Sequence, residues 1–447
     1  MRSLRCTIAP LCALALVLPS TAAASGAAAG TPIPGHYIVV LKSAESGQLV
    51  AADHEHLLGA LVSHIYDHAL HGYAAELSQT ELALVKADPR VAYVSQDRGG
   101  VAIQSQTLPT GVNRTDADLS SQLAGDGSGT TPGDIAVFDT GIQPDHPDLN
   151  VAGGVDCLGG YSGDDGTWYD ANGHGTHVAG IVGAKDDLNG TVGVAPGVRL
   201  WAVRTLNVLG SGSAATQLCG IDWVTANAPG MGIKVANSSQ ILFASGDDGN
   251  CGYTNNDPLH QAICRSTAAG ILWVFGAGNN AVDLAGAAGA SFDEVLAVTA
   301  MGDGNGQPNV GSTDTFTCLG PPNGKKRSNY TPETDDKYTS FSAYAVSGAD
   351  QAHTIAAPGA CIYSTYKGSG YENMSGTSMS GPHAAAVAHL CYVSGQCAGT
   401  PAETIQKLRT DAAAYAQANP GWGFTGDPLN SPVAGRYYGY LVRAGQY

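Results

Sequence analysis

The chain has 447 residues, of which 43% are hydrophobic and only 13% charged, with 60 glycines. That apolar share supports a sizeable core and excludes wholesale disorder, while so many small residues argue against a coiled coil. Lysine and arginine total 21 against 38 acidic residues, a net charge of -17, the reverse of what a nucleic-acid binder shows.

The N-terminus sets the compartment. Arg2 and Arg5 precede an apolar run from Ile8 to Leu18, and the small residues Thr21-Ala22-Ala23-Ala24-Ser25 follow. A positive start, a short apolar core and an A-x-A-like exit describe a secretory signal peptide over residues 1–24. A membrane span needs ~20 apolar residues, and neither this run nor any later one reaches that length. A secreted, extracellular protein with no membrane attachment after signal removal is expected. Cys6 and Cys12 leave with the signal, and Cys157, Cys219, Cys251, Cys264, Cys318, Cys361, Cys391 and Cys397 remain. An even set in an exported chain reads as disulfides, and no CxxC pair points to zinc. Only Cys251–Cys264 and Cys391–Cys397 lie close enough in sequence to be expected as pairs.

Beyond the signal, Gly35 to Lys42 reads as a strand, and a His-rich stretch from Asp53 to His64 as a helix. Gly72 to Leu77 is strand-like, Thr80 to Ala87 helical, and Val91 to Val94 another strand. This β-α-β-β-α-β-like order over residues 31–97 makes a small α+β module. Residues 98–133 are rich in Gly, Ser, Thr and Gln and mark a boundary. From 134 to 447 the pattern changes. Short apolar runs at Ile135–Phe138, Val198–Val203, Ile233–Ala236, Ile271–Phe275 and Val295–Val298 suit strands buried on both faces. Helical stretches such as Thr176–Ala184 and Ser213–Asn227 lie between them. Together they predict an α/β domain, a mostly parallel central sheet with helices on both faces.

Three segments carry chemistry. In Val137-Phe138-Asp139-Thr140-Gly141-Ile142 an apolar strand ends in a carboxylate, where α/β sheets place function. In Asn172-Gly173-His174-Gly175-Thr176-His177 an imidazole opens a helix between glycines that permit close approach. In Ser375-Gly376-Thr377-Ser378-Met379-Ser380-Gly381-Pro382-His383 a hydroxyl opens another helix, with Pro382 expected in its first turn. A serine needs a base, and the base needs an orienting carboxylate. Free N–H groups at the helix start, with the Asn279 amide in Phe275-Gly276-Ala277-Gly278-Asn279, suit an oxyanion.

These blocks resemble those of the subtilisin-like serine proteases, the subtilases, in that family's order of Asp, His and Ser over roughly Asp134 to Leu390. Subtilisin is itself a reference case for this triad. Residues Tyr37 to Asp97 resemble the family's inhibitory propeptide. The resemblance implies a self-processing secreted endopeptidase acting through an acyl-enzyme, with no cofactor for the chemistry. Asp139 would orient the imidazole, His174 would be general base and acid, and Ser378 the nucleophile. Asn279 and the Ser378 N–H would hold the oxyanion, and His177 and His383 would be packing residues. Ser239, Gln240, Gly276, Ala277 and Gly278 would line the substrate site. There the run Asn237-Ser238-Ser239-Gln240-Ile241 departs from the usual Asn-x-Ser-Leu-Gly, and Ile241 in place of Gly is expected to narrow or reshape the pocket wall.

The resemblance also implies a structural calcium ion. Asp148 and Asp187 would supply carboxylates, and Lys185, Asn189 and Thr191 backbone carbonyls, a donor set that suits a hard cation. The expected partners are protein and peptide substrates and the chain's own propeptide, whose tail would fill the cleft, with no nucleic acid, the enzyme being a monomer. An aspartic protease is the alternative raised by Asp139-Thr140-Gly141, but it needs a second such loop, and none occurs. A binding protein that had lost catalysis predicts a missing triad member, and all three are present.

Overall fold

A computed structural model describes residues 32–42, 45–98, 106–161, 165–318 and 331–447. Residues 1–24, expected as a signal peptide, lie outside them. The chain divides into two compact units, Met1–Ile103 and Gln104–Tyr447.

The first unit comprises β1 (Pro32–Leu41), α1 (Gly47–Leu58), β2 (Leu61–Tyr66), β3 (Gly72–Glu76), α2 (Gln79–Ala87) and β4 (Val91–Arg98). Its antiparallel sheet has the order β2-β3-β1-β4. Tyr37, Val39 and Leu41 alternate along β1 to face Val50 and Ala51 of α1 and Leu82 and Val85 of α2 in one core. Helix α1 ends earlier than expected. Gly59 adopts a left-handed φ of 82° and its N–H bonds back to Glu55, closing the helix. The next residues, with β-branched Val62 and Ile65, pair with β3 instead.

The second unit opens with α3 (Thr110–Arg114), β5 (Asp134–Asp139), β6 (Val151–Asp156), α4 (His174–Gly183) and β7 (Arg199–Arg204). It continues through α5 (Ala214–Met231), β8 (Ile233–Ser238), α6 (Pro258–Ala268), β9 (Leu272–Gly276) and β10 (Leu296–Gly302). Short strands β11 (Thr315–Phe316), β12 (Glu333–Thr334) and β13 (Lys337–Tyr338) precede α7 (Gly348–Ala352) and β14 (Thr354–Pro358). The hairpin β15 (Ile362–Tyr366) and β16 (Gly370–Met374) leads into α8 (Thr377–Val393) and α9 (Pro401–Ala418).

The central sheet runs β13-β10-β9-β8-β5-β7-β6, with β14 beside β10. Its pairings are parallel except β10 with β13. The five apolar runs expected as strands all lie in it, each starting within one residue of the expectation. Strand β6 was not expected, because its Gly-rich, half-buried Val151-Ala152-Gly153-Gly154 shows no apolar run. Helix α8 packs against β8, β9, β10, β14 and α4. It is buried nearly all round, which explains its run of alanines from Ala384 to Ala386. Pro382 sits in the second turn of α8 rather than the first, since the helix starts at Thr377.

Residues 106–133 are built into this unit. Val112, Ala117 and Ala124 join its core. Arg114, fully buried, pairs with Asp336 at 2.9 Å and Asp303 at 3.4 Å. Four disulfides join Cys157–Cys219, Cys251–Cys264, Cys318–Cys361 and Cys391–Cys397, both expected close pairs among them. No helix among the described residues is long and apolar enough to cross a membrane.

Candidate active site

Strands β5, β8 and β9 are neighbours, with Phe138, Ser238 and Phe275 in register. Asp139, Ser239 and Gly276 therefore leave the sheet side by side at its carboxyl edge, the place where such sheets put their ligands. Asp139 is fully buried. Its Oδ1 accepts from the Thr140 N–H and from His174 Nδ1, each at 2.7 Å. His174 is the first residue of α4, and the glycine after it is what permits the approach. A Cβ on Gly175 would lie 2.1 Å from the Gly141 oxygen and 3.1 Å from Asp139 Cβ.

A residue that the sequence pattern did not single out braces this junction. Asp170 accepts from the N–H groups of Asn172, Gly173 and Thr176 and from the hydroxyls of Thr140 and Thr176, at 2.7 to 3.0 Å. It closes the start of α4, and Thr140 Oγ1 takes the Gly175 N–H as well (3.0 Å). An Asp just ahead of a helix that opens with Gly-His was the available signal. Burial disfavours a charged His174, but Asp139, by charge and hydrogen bond, and Asp170, by charge, outweigh it. The imidazole is held above the ordinary histidine range.

Ser378 is the second residue of α8. Its Oγ donates to the Ser239 carbonyl (3.2 Å), and Ser239 Oγ donates to the Ser378 carbonyl (2.8 Å). Pro382, lacking an N–H, leaves that Ser378 carbonyl without its helical donor, so the proline frees the acceptor Ser239 uses. Asn279 Oδ1 accepts from the Thr377 N–H (2.8 Å) and hydroxyl (3.0 Å). The oxygen is thus spoken for and Nδ2 is the donor left. A Cβ on Gly376 would sit 3.4 Å from that Nδ2 and 3.7 Å from the Ser378 N, so both donors lie next to Gly376, beside Ser378. Among the described residues no hydrogen bond joins the imidazole to the Ser378 hydroxyl. Such bonds tighten when substrate is in place.

His174, Thr140, Ser239, Gln240, Leu206, Ile241 and Phe243 line a cleft of about 350 Å³. Gly276, Ala277 and Gly278 are not among the residues that line this cleft. Ala277 N bonds to Val298 O and Gly278 N to Thr377 Oγ1, while the Gly278 carbonyl accepts from Ala343. Ile241 stands half exposed at the rim. His177 and His383 are fully buried and bonded to backbone carbonyls. Burial pushes them down to about 3 and about 4.

The three carbonyls expected as calcium ligands and Asp148 lie together. The carbonyls of Lys185, Asn189 and Thr191 converge on one point, now met by the Gln106 amide at 2.9, 3.4 and 3.2 Å. Asp148 lies beside them, its Oδ2 taking the Thr191 N–H (2.9 Å) and its buried Oδ1 without a protein donor. Burial, partly offset by that N–H, pushes the Asp148 carboxyl up to about 6. Asp186 is consumed by the N–H groups of Gly125, Asp126 and Gly127, while exposed Asp187 accepts from the Asn189 N–H (3.1 Å) and Nδ2 (3.3 Å) through Oδ1 alone. Converging carbonyls and an orphaned buried carboxylate oxygen fit a hard cation. Gln106, whose amide can present oxygen, is an addition to the expected set.

An acid, an imidazole and a hydroxyl lie at the carboxyl edge of a parallel sheet, with amide donors beside the hydroxyl, the parts that a triad serine hydrolase uses. The subtilase family profile matches residues 133–439, and the peptidase inhibitor I9 profile matches residues 36–99. M-protease of Shouchella clausii (strain KSM-K16) is 34% identical over 317 residues, covering 71% of this chain and 68% of that protein. Subtilisin Savinase of Lederbergia lenta is 35% identical over 286 residues, covering 64% and 84%. The crystal structure of a cold-adapted subtilisin-like serine proteinase aligns with TM-score 0.51 at 23% identity over 75% of this chain and 97% of that one, a likeness of fold. The chain belongs to the subtilase family and is a subtilisin-like serine endopeptidase carrying an I9-type propeptide domain.

Proposed function

We propose that this chain is the precursor of a secreted endopeptidase that cuts peptide bonds through Asp139, His174 and Ser378. The observation that carries the reading is the Asp139–His174 bond of 2.7 Å, in the cleft whose wall residue Ser239 is doubly bonded to Ser378. Ser378 Oγ attacks the scissile carbonyl as His174 Nε2 takes its proton, with Asp139 holding Nδ1–H and stabilising the imidazolium. Asn279 Nδ2 and the Ser378 N–H receive the oxyanion. The tetrahedral species collapses to an acyl-enzyme as His174 returns the proton to the departing amine. Water then repeats the sequence in reverse roles, releasing the acid and restoring Ser378. Residues 31–97 act as intramolecular inhibitor until removed, and the N-terminal segment over residues 1–24 directs export.

A serine-directed sulfonyl fluoride is expected to inactivate the mature enzyme with one sulfonyl group on Ser378, located by peptide mass spectrometry, while a pepstatin-type inhibitor has no effect. Label on another residue with full loss of activity would reassign the nucleophile.

Asp148, Asp187, Gln106 and the carbonyls of Lys185, Asn189 and Thr191 would hold a calcium ion that supplies rigidity and takes no part in bond cleavage. A ligand bound only by the folded state contributes RT ln(1 + [L]/Kd), about 2.7 kcal/mol at a hundredfold excess. For a unit of this size that corresponds to roughly 4 °C in Tm. Chelation is expected to lower the Tm of the Ser378→Ala protein by this amount, and Asp187→Ala to remove the calcium response. Full stabilisation of Asp187→Ala by calcium would place the ion elsewhere.

A further inference from the structure

Residues 245–257 lie between strand β8 and helix α6 and are tied to α6 by the Cys251–Cys264 disulfide. They carry two adjacent carboxylates, Asp247 and Asp248, against His260, the third residue of α6. His260 is fully buried. Its ring lies flat on Phe292, centroids 3.9 Å apart, and its backbone N–H, like that of Leu259, is held by the capping Asp257. The imidazole is thus fixed in place, and its two nitrogens meet different groups. Nε2 bonds Glu294 Oε2 at 3.0 Å and lies 3.4 Å from Asp247 Oδ1. Nδ1 faces Asp248 Oδ1 at 3.7 Å, beyond hydrogen-bond reach.

Two buried atoms of this cluster have no hydrogen-bond partner, His260 Nδ1 and Asp247 Oδ1. A neutral imidazole that gives its one N–H to Glu294 turns a lone pair toward the Asp248 carboxylate, so acceptor faces acceptor. Asp248 is not free to swing away. Its Oδ1 takes the N–H groups of Asn250 and Gly252, and its Oδ2 those of Thr254 and Asn255, at 2.8 to 3.1 Å. A protonated imidazole would set one positive charge against three carboxylates, with its Nδ1–H still short of a partner. A divalent metal ion removes both faults. One donor atom each from Asp247, Asp248 and His260 lies within 4.8 Å of the other two. An ion with bonds of about 2.0–2.2 Å spans up to about 4.4 Å between its ligands, so small side-chain rotations close the site. Calcium takes oxygen ligands, whereas an imidazole among carboxylates suits zinc. Glu294 on Nε2–H is then the outer carboxylate that metal-bound histidines commonly have.

We infer that His260 Nδ1, Asp247 and Asp248 form a zinc site, with water as fourth ligand and Glu294 orienting the imidazole, that locks residues 245–257 to α6. It uses none of the calcium candidates around Asp148 and takes no part in the chemistry at Ser378.

The test uses the full-length Ser378→Ala protein, chosen to prevent self-digestion, equilibrated with zinc in excess calcium and then desalted. Metal analysis is expected to find about one more zinc per chain than in His260→Gln or Asp247→Asn. Zinc held elsewhere, as by the histidines of residues 31–97, is the same in all three proteins and cancels. Glu294→Gln keeps the ion but holds it about tenfold to a hundredfold more weakly in a chelator competition. Zinc raises the Tm of the parent by roughly 4 °C at a hundredfold excess over Kd and leaves that of Asp247→Asn unmoved. A cluster held by a proton alone behaves in the opposite way. Asp247→Asn then relieves repulsion and raises Tm whether or not zinc is added, and the parent carries no more zinc than the variants. Equal zinc in parent and variants, or release of the extra zinc by calcium, overturns the inference. Should His260→Gln not fold, Asp247→Asn, an isosteric change on a partly exposed side chain, decides the matter by itself, and full zinc retention there counts against the site.

Discussion

Ser378→Ala is expected to cost on the order of 10⁶ in turnover, leaving a rate only ~10³–10⁴ above water. The size is carried over from subtilisin, whose triad acts as a unit, so that losing the nucleophile alone costs about as much as losing all three members. The residual rate is expected to come from Asn279 Nδ2 and the backbone N–H at 378, which the substitution leaves in place. The substituted residue keeps its carbonyl, so the bond from Ser239 Oγ at 2.8 Å survives and the fold is expected to be undisturbed. Only the weaker bond from Ser378 Oγ to Ser239 is lost. Maturation gives an independent readout on the same protein. If the enzyme removes its own propeptide, the variant accumulates uncut when made in a protease-free host, and added wild type cuts it. Normal processing of the variant in that host would refute self-cleavage while leaving the protease assignment intact. Residual turnover above a thousandth of wild type would remove Ser378 from the nucleophile's place.

How far the sequence carried depends on the range of the interaction. The five buried strands and the blocks around Asp139, His174 and Ser378 were legible because their signals are local, apolar runs and glycines fixed within a few residues of each other. Asp170 and Gln106 were not, although Asp170 braces the start of α4 and Gln106 bonds the carbonyls of Lys185, Asn189 and Thr191. Their partners lie up to 85 residues away, as with Gln106 and Thr191, and a lone polar residue does not show that it will be buried. Helix α1 shows the converse failure. The stretch from Asp53 to His64 reads as one helix from its opening Asp-His-Glu-His-Leu-Leu run, but Gly59 turns the chain, and Leu61–Tyr66, with β-branched Val62 and Ile65, pairs with β3. Pro382 was placed a turn too early for a related reason. Its value lies in the N–H it lacks opposite Ser378, a consequence visible only once Ser239 arrives from β8.

Asp139→Asn should lower kcat by about 10⁴ while leaving KM within a fewfold. The bond from His174 Nδ1 to Asp139 Oδ1 favours the Nδ1–H tautomer, which would leave the Nε2 lone pair for the serine proton. An asparagine at 139 can turn its NH₂ toward Nδ1, which then carries the lone pair, and Nε2–H cannot accept the serine proton. The carboxylate's second task, stabilising the imidazolium in the transition state, is lost with its charge. The pH profile separates this from a simple packing defect. General base catalysis needs neutral His174, so wild-type kcat/KM falls as pH drops through a value raised above the ordinary histidine range. Burial opposes that rise, and Asp139 supplies most of the opposing pull, with Asp170 adding its charge. Removing the Asp139 charge leaves burial less opposed, so the imidazole loses its proton more easily and the acid limb moves to lower pH. The direction is the diagnostic. An acid limb that stays in place or moves upward in Asp139→Asn would show that the titrating group is not His174, and the base would have to be sought elsewhere in the cleft.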